Sequence, residues 1–326
     1  MTDNLLDVRD LRLDIVSGKA SHNVVDNVSF SIRRGEAYGL VGESGCGKSI
    51  TALSVIGLLR KPLAVTGGSL QFDGRDLREL SKRDLRRLRG ERIAMIFQEP
   101  MTALNPLSPV GRQIAEMFVL HKGATWKEAE KLAIEALGNV QVPAPEERVR
   151  NYPHQMSGGM RQRVMIAIAL ACNPDLLIAD EPTTALDVTV QAEILKLVKE
   201  LCAARGTSVL MISHDLGVIA NMCNRVGIMY AGRLVEERPV ADLFLDPAHP
   251  YTDGLLRSLP HLGSRRQEGR KRLQEIEGTV PSIASFSPGC RFQPRCHKAT
   301  SICTAEIPPP TGLSHDGFVK CFNHER

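Results

Sequence analysis

The chain predicts an α/β fold, and three stretches carry that expectation. Residues 37–41 form an apolar strand-like run that breaks into a glycine-rich loop and then a helix-forming stretch, 50–59. Residues 176–179 are a short continuous apolar run ending in Asp180-Glu181, and 208–212 are another, ending in Ser213-His214-Asp215. Short apolar runs of this kind, bounded by turn and helix signals, read as buried strands of a sheet.

Composition sets the outer limits. At 326 residues the chain is long for one compact domain, so a large domain with an appendage, or two domains, is expected. Charged residues at 24% and hydrophobic residues at 43% are ordinary for a globular protein. The 41 basic and 37 acidic side chains leave a net +4, too mild to argue for nucleic acid. The first 15 residues alternate apolar with charged residues and lack the layout of a signal peptide. Apolar runs such as 164–172 are far shorter than the roughly 20 residues of a membrane helix. The expectation is an intracellular protein that meets a membrane only through partners.

In chain order, 5–15 and 24–32 read as strands by their period-two pattern, and Arg34-Gly35 turns the chain into the strand at 37. Gly42, Gly47, Lys48 and Ser49 then stand at the spacing G-x-x-x-x-G-K-S, in the strand-loop-helix context of a phosphate-binding loop. Glycines let backbone N–H groups converge on phosphates, and the following helix N-terminus adds partial positive charge. Lys48 would reach the β- and γ-phosphates, and the Ser49 hydroxyl would ligate Mg²⁺. The candidate nucleotide-binding residues are Gly42, Glu43, Ser44, Gly45, Cys46, Gly47, Lys48, Ser49 and Ile50.

Residues 67–80 predict a short strand, an Asp73-Gly74 turn and the start of a helix. The basic segment 81–90 reads as a solvated helix face. A strand over 92–97 ends in Gln98, followed by EPMTALNPLSPVG, a proline-rich apolar loop with little helical or strand pattern. Such a loop is either packed locally or a docking surface. Residues 111–150 are mostly helical, with a break at VQVPAPEER. Ser157-Gly158-Gly159 opens a helix to about residue 171, a second potential anion site whose nucleotide would belong to a different subunit. After 176–179, Asp180 fits Mg²⁺ binding, and Glu181 is placed to act as general base on the attacking water. His214 either senses the γ-phosphate or is a satisfied polar residue.

Residues 42–49, Gln98, 156–160, 176–181, 185–187 and His214 resemble, in order, the Walker A, Q-loop, signature, Walker B, D-loop and H-loop motifs of ABC-transporter ATPases. The resemblance covers residues 5 to about 255 and is closest to the ATPase subunits of dipeptide and oligopeptide importers. Those subunits also read SGGMRQRV and carry a His-Pro-Tyr-Thr segment like that at 249–252. The resemblance implies an ABC-type P-loop NTPase fold: a RecA-like core, an antiparallel β subdomain and a helical signature subdomain. It implies that Glu181, His214 and Gln98 are catalytic, that Gln98 joins Ser49 and Asp180 around Mg²⁺, and that Ser157, Gly158, Gly159 and Asp187 complete a nucleotide site. Two ATPase subunits would close head to tail on ATP and drive two membrane permeases, with the loop after Gln98 as the docking surface. Two departures stand out. Met156 and Met160 replace the usual leucine and glutamine of the signature, and residues 13–25 contain no Phe, Tyr or Trp to stack on adenine, leaving His22, Ile15 or Val16.

The last 66 residues, 261–326, differ in material from the ATPase domain predicted over 1–260. Residues 262–272 are a polar basic linker, and cysteines follow at 290, 296, 303 and 321. Cysteines 46, 172, 202 and 223 are most simply packing residues. Structural disulfides are unexpected in a cytosolic chain, so the four clustered thiols suggest a metal centre. Their gaps of five, six and seventeen residues match neither a zinc ribbon nor a ferredoxin run. Peptide-importer subunits have a similar tail, and the resemblance implies a four-iron, four-sulfur cluster on Cys290, Cys296, Cys303 and Cys321, with zinc or free thiols as alternatives.

The resulting expectation is an ATP-hydrolysing subunit of a peptide importer on the cytoplasmic face of the inner membrane. Its partners would be a second, non-identical ATPase, two permeases and an external peptide-binding protein, with no nucleic acid. Nickel, glutathione or an opine are alternative cargoes. A soluble ABC ATPase acting on ribosomes or DNA is the rival class, and a single Walker A, signature and Walker B speak against it.

Overall fold

The computed structural model describes residues 4–18, 20–184, 186–259 and 276–324. The predicted linker at 262–272, the boundary at 260/261 and Ala185 lie outside the described residues. The first two predicted strands are one long hairpin, β1 (Asn4–Ser17) and β2 (Ala20–Arg33), paired antiparallel. β4 (Leu63–Phe72) joins the other edge of β1, and β5 (Arg75–Asp76) completes a sheet of order β2-β1-β4-β5.

No helix begins directly after Asp73-Gly74, contrary to expectation. Both residues hold positive φ, 50° and 74°, as in the tight turn that returns a strand on itself. Phe72 therefore pairs with Arg75 and Gln71 with Asp76, and α2 (Lys82–Glu91) waits for its cap at Ser81.

The main sheet contains β3 (Ala37–Val41), β6 (Ile93–Ile96), β7 (Leu176–Asp180), β8 (Ser208–Ser213) and β9 (Arg225–Tyr230), all parallel, in spatial order β9-β3-β8-β7-β6. β10 (Arg233–Pro239) runs antiparallel to β9, and β11 (Thr311–Gly312) and β12 (Phe318–Val319), from the cysteine-bearing tail, extend that edge. Side chains alternate across this sheet. Leu40, Ile93, Leu176, Ile178, Leu210 and Ile212 face the hairpin sheet, while Val41, Ala94, Ile96, Leu177, Ala179 and Met211 join the helical core. Burial on both faces is why these strands read as unbroken apolar runs.

Helix α1 (Lys48–Val55) follows β3. It starts two residues before the predicted stretch and stops early, because Gly57 takes φ 67°. The basic segment is more than a solvated face: Arg89 donates to the carbonyls of Ile56 (2.8 Å) and Gly57 (2.5 Å), tying α2 to the end of α1.

Between β6 and β7 lie α3 (Pro100–Ala103), α4 (Val110–Lys122), α5 (Trp126–Asn139), α6 (Pro145–Arg148) and α7 (Gly158–Leu170), packed on one another. The loop after Gln98 thus contains one helical turn, α3. The loop is packed in part, since Leu104 is buried while Leu107 is 87% exposed. α8 (Val188–Arg205) and α9 (Leu216–Met222) link the parallel strands, α10 (Val240–Leu245) and α11 (Pro250–Arg257) follow β10, and α12 (Ser301–Ala305) lies in the tail.

Candidate nucleotide-binding and hydrolysis site

Strand order does the assembling. β3, β8, β7 and β6 are neighbours and parallel, so their carboxyl ends share one edge, where open α/β sheets bind ligands. β3 delivers the loop 42–49, β7 delivers Asp180 and Glu181, β8 is followed by His214, and Gln98 stands two residues beyond β6.

The loop is shaped by glycine at two positions. A Cβ on Gly42 would lie 2.0 Å from the Met229 carbonyl oxygen, and Gly47, which caps α1, takes φ 102°. Lys48 is buried within this cradle. Its Nζ donates to the carbonyls of Gly42 (2.7 Å) and Glu43 (3.0 Å), which hold the ammonium over the loop.

Ser49 Oγ donates to Asp180 Oδ1 at 3.0 Å. A hydroxyl beside a carboxylate supplies the hard oxygen donors that Mg²⁺ takes, so these residues fit the ion. Burial raises the Asp180 carboxyl above its ordinary pKa, against the Ser49 hydrogen bond, and a cation there would favour the charged form.

The Glu181 carboxylate is held by three partners. Gln98 Nε2 donates to Oε2 at 3.1 Å, Thr184 Oγ1 donates to Oε2 at 3.1 Å, and His214 Nδ1 lies 3.1 Å from Oε1. Glu181 itself takes φ 45°, an uncommon backbone state for a non-glycine residue and typical of functional turns. Residues that follow three strands, β6, β7 and β8, therefore meet around one carboxylate.

The second anion site expected from the sequence falls at a capped helix end. The cap is the Ser157 hydroxyl, accepting from Met160 N at 3.3 Å, with Gly158 and Gly159 in the first turn. Asp187 caps α8 by accepting from Val190 N at 3.0 Å. The two ends are adjacent: a Cβ on Gly159 would lie 2.9 Å from Val190 Cγ1, and one on Gly158 3.6 Å from Leu186 Cδ2. Met156 is buried and Met160 packs against the helical core, so both departures from the usual signature serve packing.

The cluster expected on Cys290, Cys296, Cys303 and Cys321 finds no support among the described residues. Among the described residues no group of three or more His, Cys, Asp or Glu stands close enough to hold a metal ion. The thiols share a neighbourhood, since Cys290 N donates to the Cys303 carbonyl at 2.8 Å and Cys321 feels the charges of Cys290, Cys296 and Cys303. Burial is the largest influence on Cys290, Cys296 and Cys321, and it pushes Cys321 up to about 11. Burial thus disfavours the thiolate form at Cys290, Cys296 and Cys321. Cys46, Cys172 and Cys202 are buried, as packing residues should be.

Sequence reasoning missed Thr184 and the work of residues 249–252. Buried Glu236 accepts from the backbone N–H groups of Ala248 and His249, both at 2.9 Å. His249 Nδ1 then accepts from Tyr251 N at 3.0 Å, capping α11. That fixes Tyr251, whose hydroxyl accepts from Glu43 N at 2.9 Å in the phosphate loop. The partners lie 208 positions apart, so no local pattern could have shown the contact.

Two family models match the chain: an ABC transporter model over residues 25–184, and the oligopeptide/dipeptide transporter C-terminal region over 235–303. A probable peptide ABC transporter ATP-binding protein of Sinorhizobium fredii is 53% identical, over 94% of this chain and 91% of its own length. The oligopeptide transport ATP-binding protein OppD of Salmonella typhimurium is 48% identical, over 98% and 93%. Among solved structures, the ATP-binding cassette MJ0796 in a post-hydrolysis state with ADP and Pi superposes with a TM-score of 0.65. It is 28% identical and covers 72% of this chain and 98% of its own. Matching both family regions, and 48% to 53% identical to these relatives over nearly its whole length, the chain belongs to the ABC transporter ATPases, in the group of oligopeptide/dipeptide transporter ATP-binding subunits.

Proposed function

We propose that this chain binds ATP on residues 42–50 and hydrolyses it to drive uptake of dipeptides or oligopeptides. The observation that carries the reading is the meeting of Lys48, Ser49, Asp180, Glu181, Gln98 and His214 at one sheet edge. The match over 235–303 and the names of the relatives favour peptides as cargo.

Lys48 neutralises the β- and γ-phosphates, and the loop N–H groups fix their position. Mg²⁺, held by Ser49, Gln98 and Asp180, would neutralise charge on the phosphates when bound. Glu181 takes the proton of the attacking water, while Gln98, Thr184 and His214 hold its carboxylate in place. Ser157, Gly158, Gly159 and Asp187 serve the nucleotide of a second, non-identical cassette, whose own signature loop closes on residues 42–49.

No helix of the described residues is long and apolar enough to cross a membrane. We place the chain on the cytoplasmic face of the inner membrane, against two permease subunits fed by an external peptide-binding protein. Exposed Leu107 supports the docking assignment. The loop carrying it is bound to α4 through Gln113, which donates to the carbonyls of Asn105 (3.0 Å) and Ser108 (2.9 Å). Residues 1–260 form the ATPase domain and 261–326 its extension.

The test is ATP hydrolysis and uptake by the assembled transporter in vesicles. Peptides should stimulate phosphate release, and stimulation by nickel, glutathione or an opine with none by peptides would replace the cargo. We propose further that the four tail thiols close on a four-iron, four-sulfur cluster, supported by their shared neighbourhood. About four irons and matching sulfide per chain, lost on Cys290→Ser, is the expected result; zinc or no metal would refute it.

A further inference from the structure

The phosphate loop is gripped at one residue by two side chains from the C-terminal third of the chain. Glu43 N donates to Tyr251 Oη, as above. The Glu43 carboxylate is taken by Arg295 in a two-pronged pair, Nη1 to Oε2 at 2.7 Å and Nη2 to Oε1 at 3.1 Å. Arg295 is 5% exposed and Glu43 31%.

The guanidinium is fixed before it meets Glu43. Its Nε donates to the Glu277 carbonyl (2.9 Å) and Nη2 to the Ile276 carbonyl (3.1 Å). Nη1 also lies 3.5 Å from the Tyr230 hydroxyl. Tyr230, Tyr251 and Phe292 pack edge to face or tilted beneath it, with centroids 4.7 to 5.3 Å apart. A planar fork held this way matches a carboxylate in one orientation.

Glu43 is the second residue of the loop, and its carbonyl accepts from Lys48 Nζ. Its carboxylate is a negative charge at the rim of a site that must take a polyphosphate. Left unpaired, it would compete for Lys48 and repel the ligand. We propose that Arg295 is a positioning residue for nucleotide binding: it draws the Glu43 carboxylate away from the phosphate cradle and cancels its charge, which makes the cysteine-bearing tail a determinant of ATP affinity. The inference rests on residues 42–49 being the ATP site.

The test is direct binding of a fluorescent ATP analogue to the full chain, with no hydrolysis required. Arg295→Gln should raise Kd about tenfold, about 1.4 kcal/mol. Adding Glu43→Gln to that variant should return Kd to within about threefold of wild type, because the unpaired charge is then gone. A pair that acted only as a staple would show no such recovery. In the assembled transporter Arg295→Gln should raise KM for ATP and leave kcat near wild type, and Arg295→Lys should restore part of the affinity. Kd for Arg295→Gln within twofold of wild type, or a double variant no tighter than the single, overturns the proposal. Should Arg295→Gln fail to fold, Glu43→Gln alone decides: tighter binding supports the proposal and weaker binding refutes it. Failure of the underlying ATP reading would look different, with wild type itself not binding and Lys48→Ala changing nothing.

Discussion

The catalytic edge of the main sheet and the tail at 276–324 are built by opposite means. At the edge, buried parallel strands bring Gly42 to Ser49, Asp180, Glu181, Gln98 and His214 together by strand order alone. The tail has only one five-residue helix and two two-residue strands among its described residues, apart from 3₁₀ turns. Arginines fix it instead. Arg233 donates to the Gly289 carbonyl at 2.6 Å, Arg291 donates to the Ala231 carbonyl at 2.5 Å, and Arg295 grips Glu43. Guanidinium groups thus take the place of ladder hydrogen bonds where backbone regularity is absent. The comparison teaches that chemistry sits on the rigid scaffold, and that the irregular tail holds its shape by leaning on it.

The largest expected effect separates the two regions most clearly. Glu181→Gln should lower hydrolysis by the assembled transporter about a hundredfold or more and leave ATP bound, since the proposed base would be gone and the phosphate loop intact. Phosphate release and nucleotide retention measure this. No tail substitution should match that fall in kcat, and one that did would break the division of labour.

Second is the seam. Asp26 lies 2.8 Å from Arg233 Nη2 and 3.4 Å from Arg291 Nη2, all three largely buried. Burial first, and the charge of Arg233 second, lower Arg291 to about 10, and the Asp26 carboxylate opposes that shift. Asp26→Asn should cost about 3 kcal/mol, the order seen when one partner of a buried ion pair is removed. Denaturant unfolding would measure it. Hydrogen exchange should rise more over 276–324 than in β7 and β8, and equal loosening would show that the tail is no satellite.

Much of the edge was legible because its signals are local. The G-x-x-x-x-G-K-S spacing, the acid pair after 176–179 and the histidine after 208–213 each read within about ten residues. What joins them was not legible: strand order is a long-range fact, and Thr184 entered only through the geometry around Glu181. The Asp73-Gly74 turn is legible in the sequence, but its return into β5 reads there as a helix start. The sequence reading assigns no element to α8, α9, β9 or β10, though Arg225 and Glu237 on those strands, with Glu36 and Tyr38, form a largely buried network at the amino end of β3, away from the phosphate loop. In the tail the cysteines drew attention while the arginines between them, Arg291 and Arg295, hold the contacts. Nothing in a residue's neighbours tells that it will bond to a group some 250 positions away.

A third prediction concerns pH at the same seam. Burial alone lowers His249 from 6.5 to about 3, so it is neutral when folded, with Nδ1 capping Tyr251 and Glu236 bonded to its backbone N–H. A depressed histidine contributes stability that is complete above the unfolded pKa and is lost as pH falls, because the unfolded chain binds the proton first. The window runs from about 6.5 down to about 3. By pH 5 the loss should be about 2 kcal/mol. His249→Asn keeps a capping acceptor and cannot titrate, so its stability should fall less between pH 7 and pH 5 than that of wild type by about this amount. Unfolding curves at the two pH values decide it. Buried Glu236 titrates in both proteins, so the difference isolates the imidazole.

The smallest effect sits at the other end of the nucleotide. A Cβ on Gly47 would lie 3.1 Å from Val25 Cγ2, so β2 rests against the phosphate loop, and the hairpin end is where the resemblance leads one to expect the adenine contact. There Ile15 pairs with His22, and Val16, which is 41% exposed, pairs with Ser21. No aromatic ring is present at 13–25. Aromatic stacking is worth about 1–3 kcal/mol per base, and an imidazole beside aliphatic side chains should supply only part of it. His22→Ala should therefore raise Kd for ATP about threefold and Val16→Ala about twofold, with stability unchanged within about 0.5 kcal/mol. His22→Tyr should bind more tightly than wild type. These changes are smaller than that expected for Arg295→Gln, which is the sharpest form of the comparison: affinity should depend more on the distant tail arginine proposed to guard the phosphates than on the hairpin. A loss on His22→Ala exceeding that of Arg295→Gln would reverse the order and return control of affinity to the hairpin.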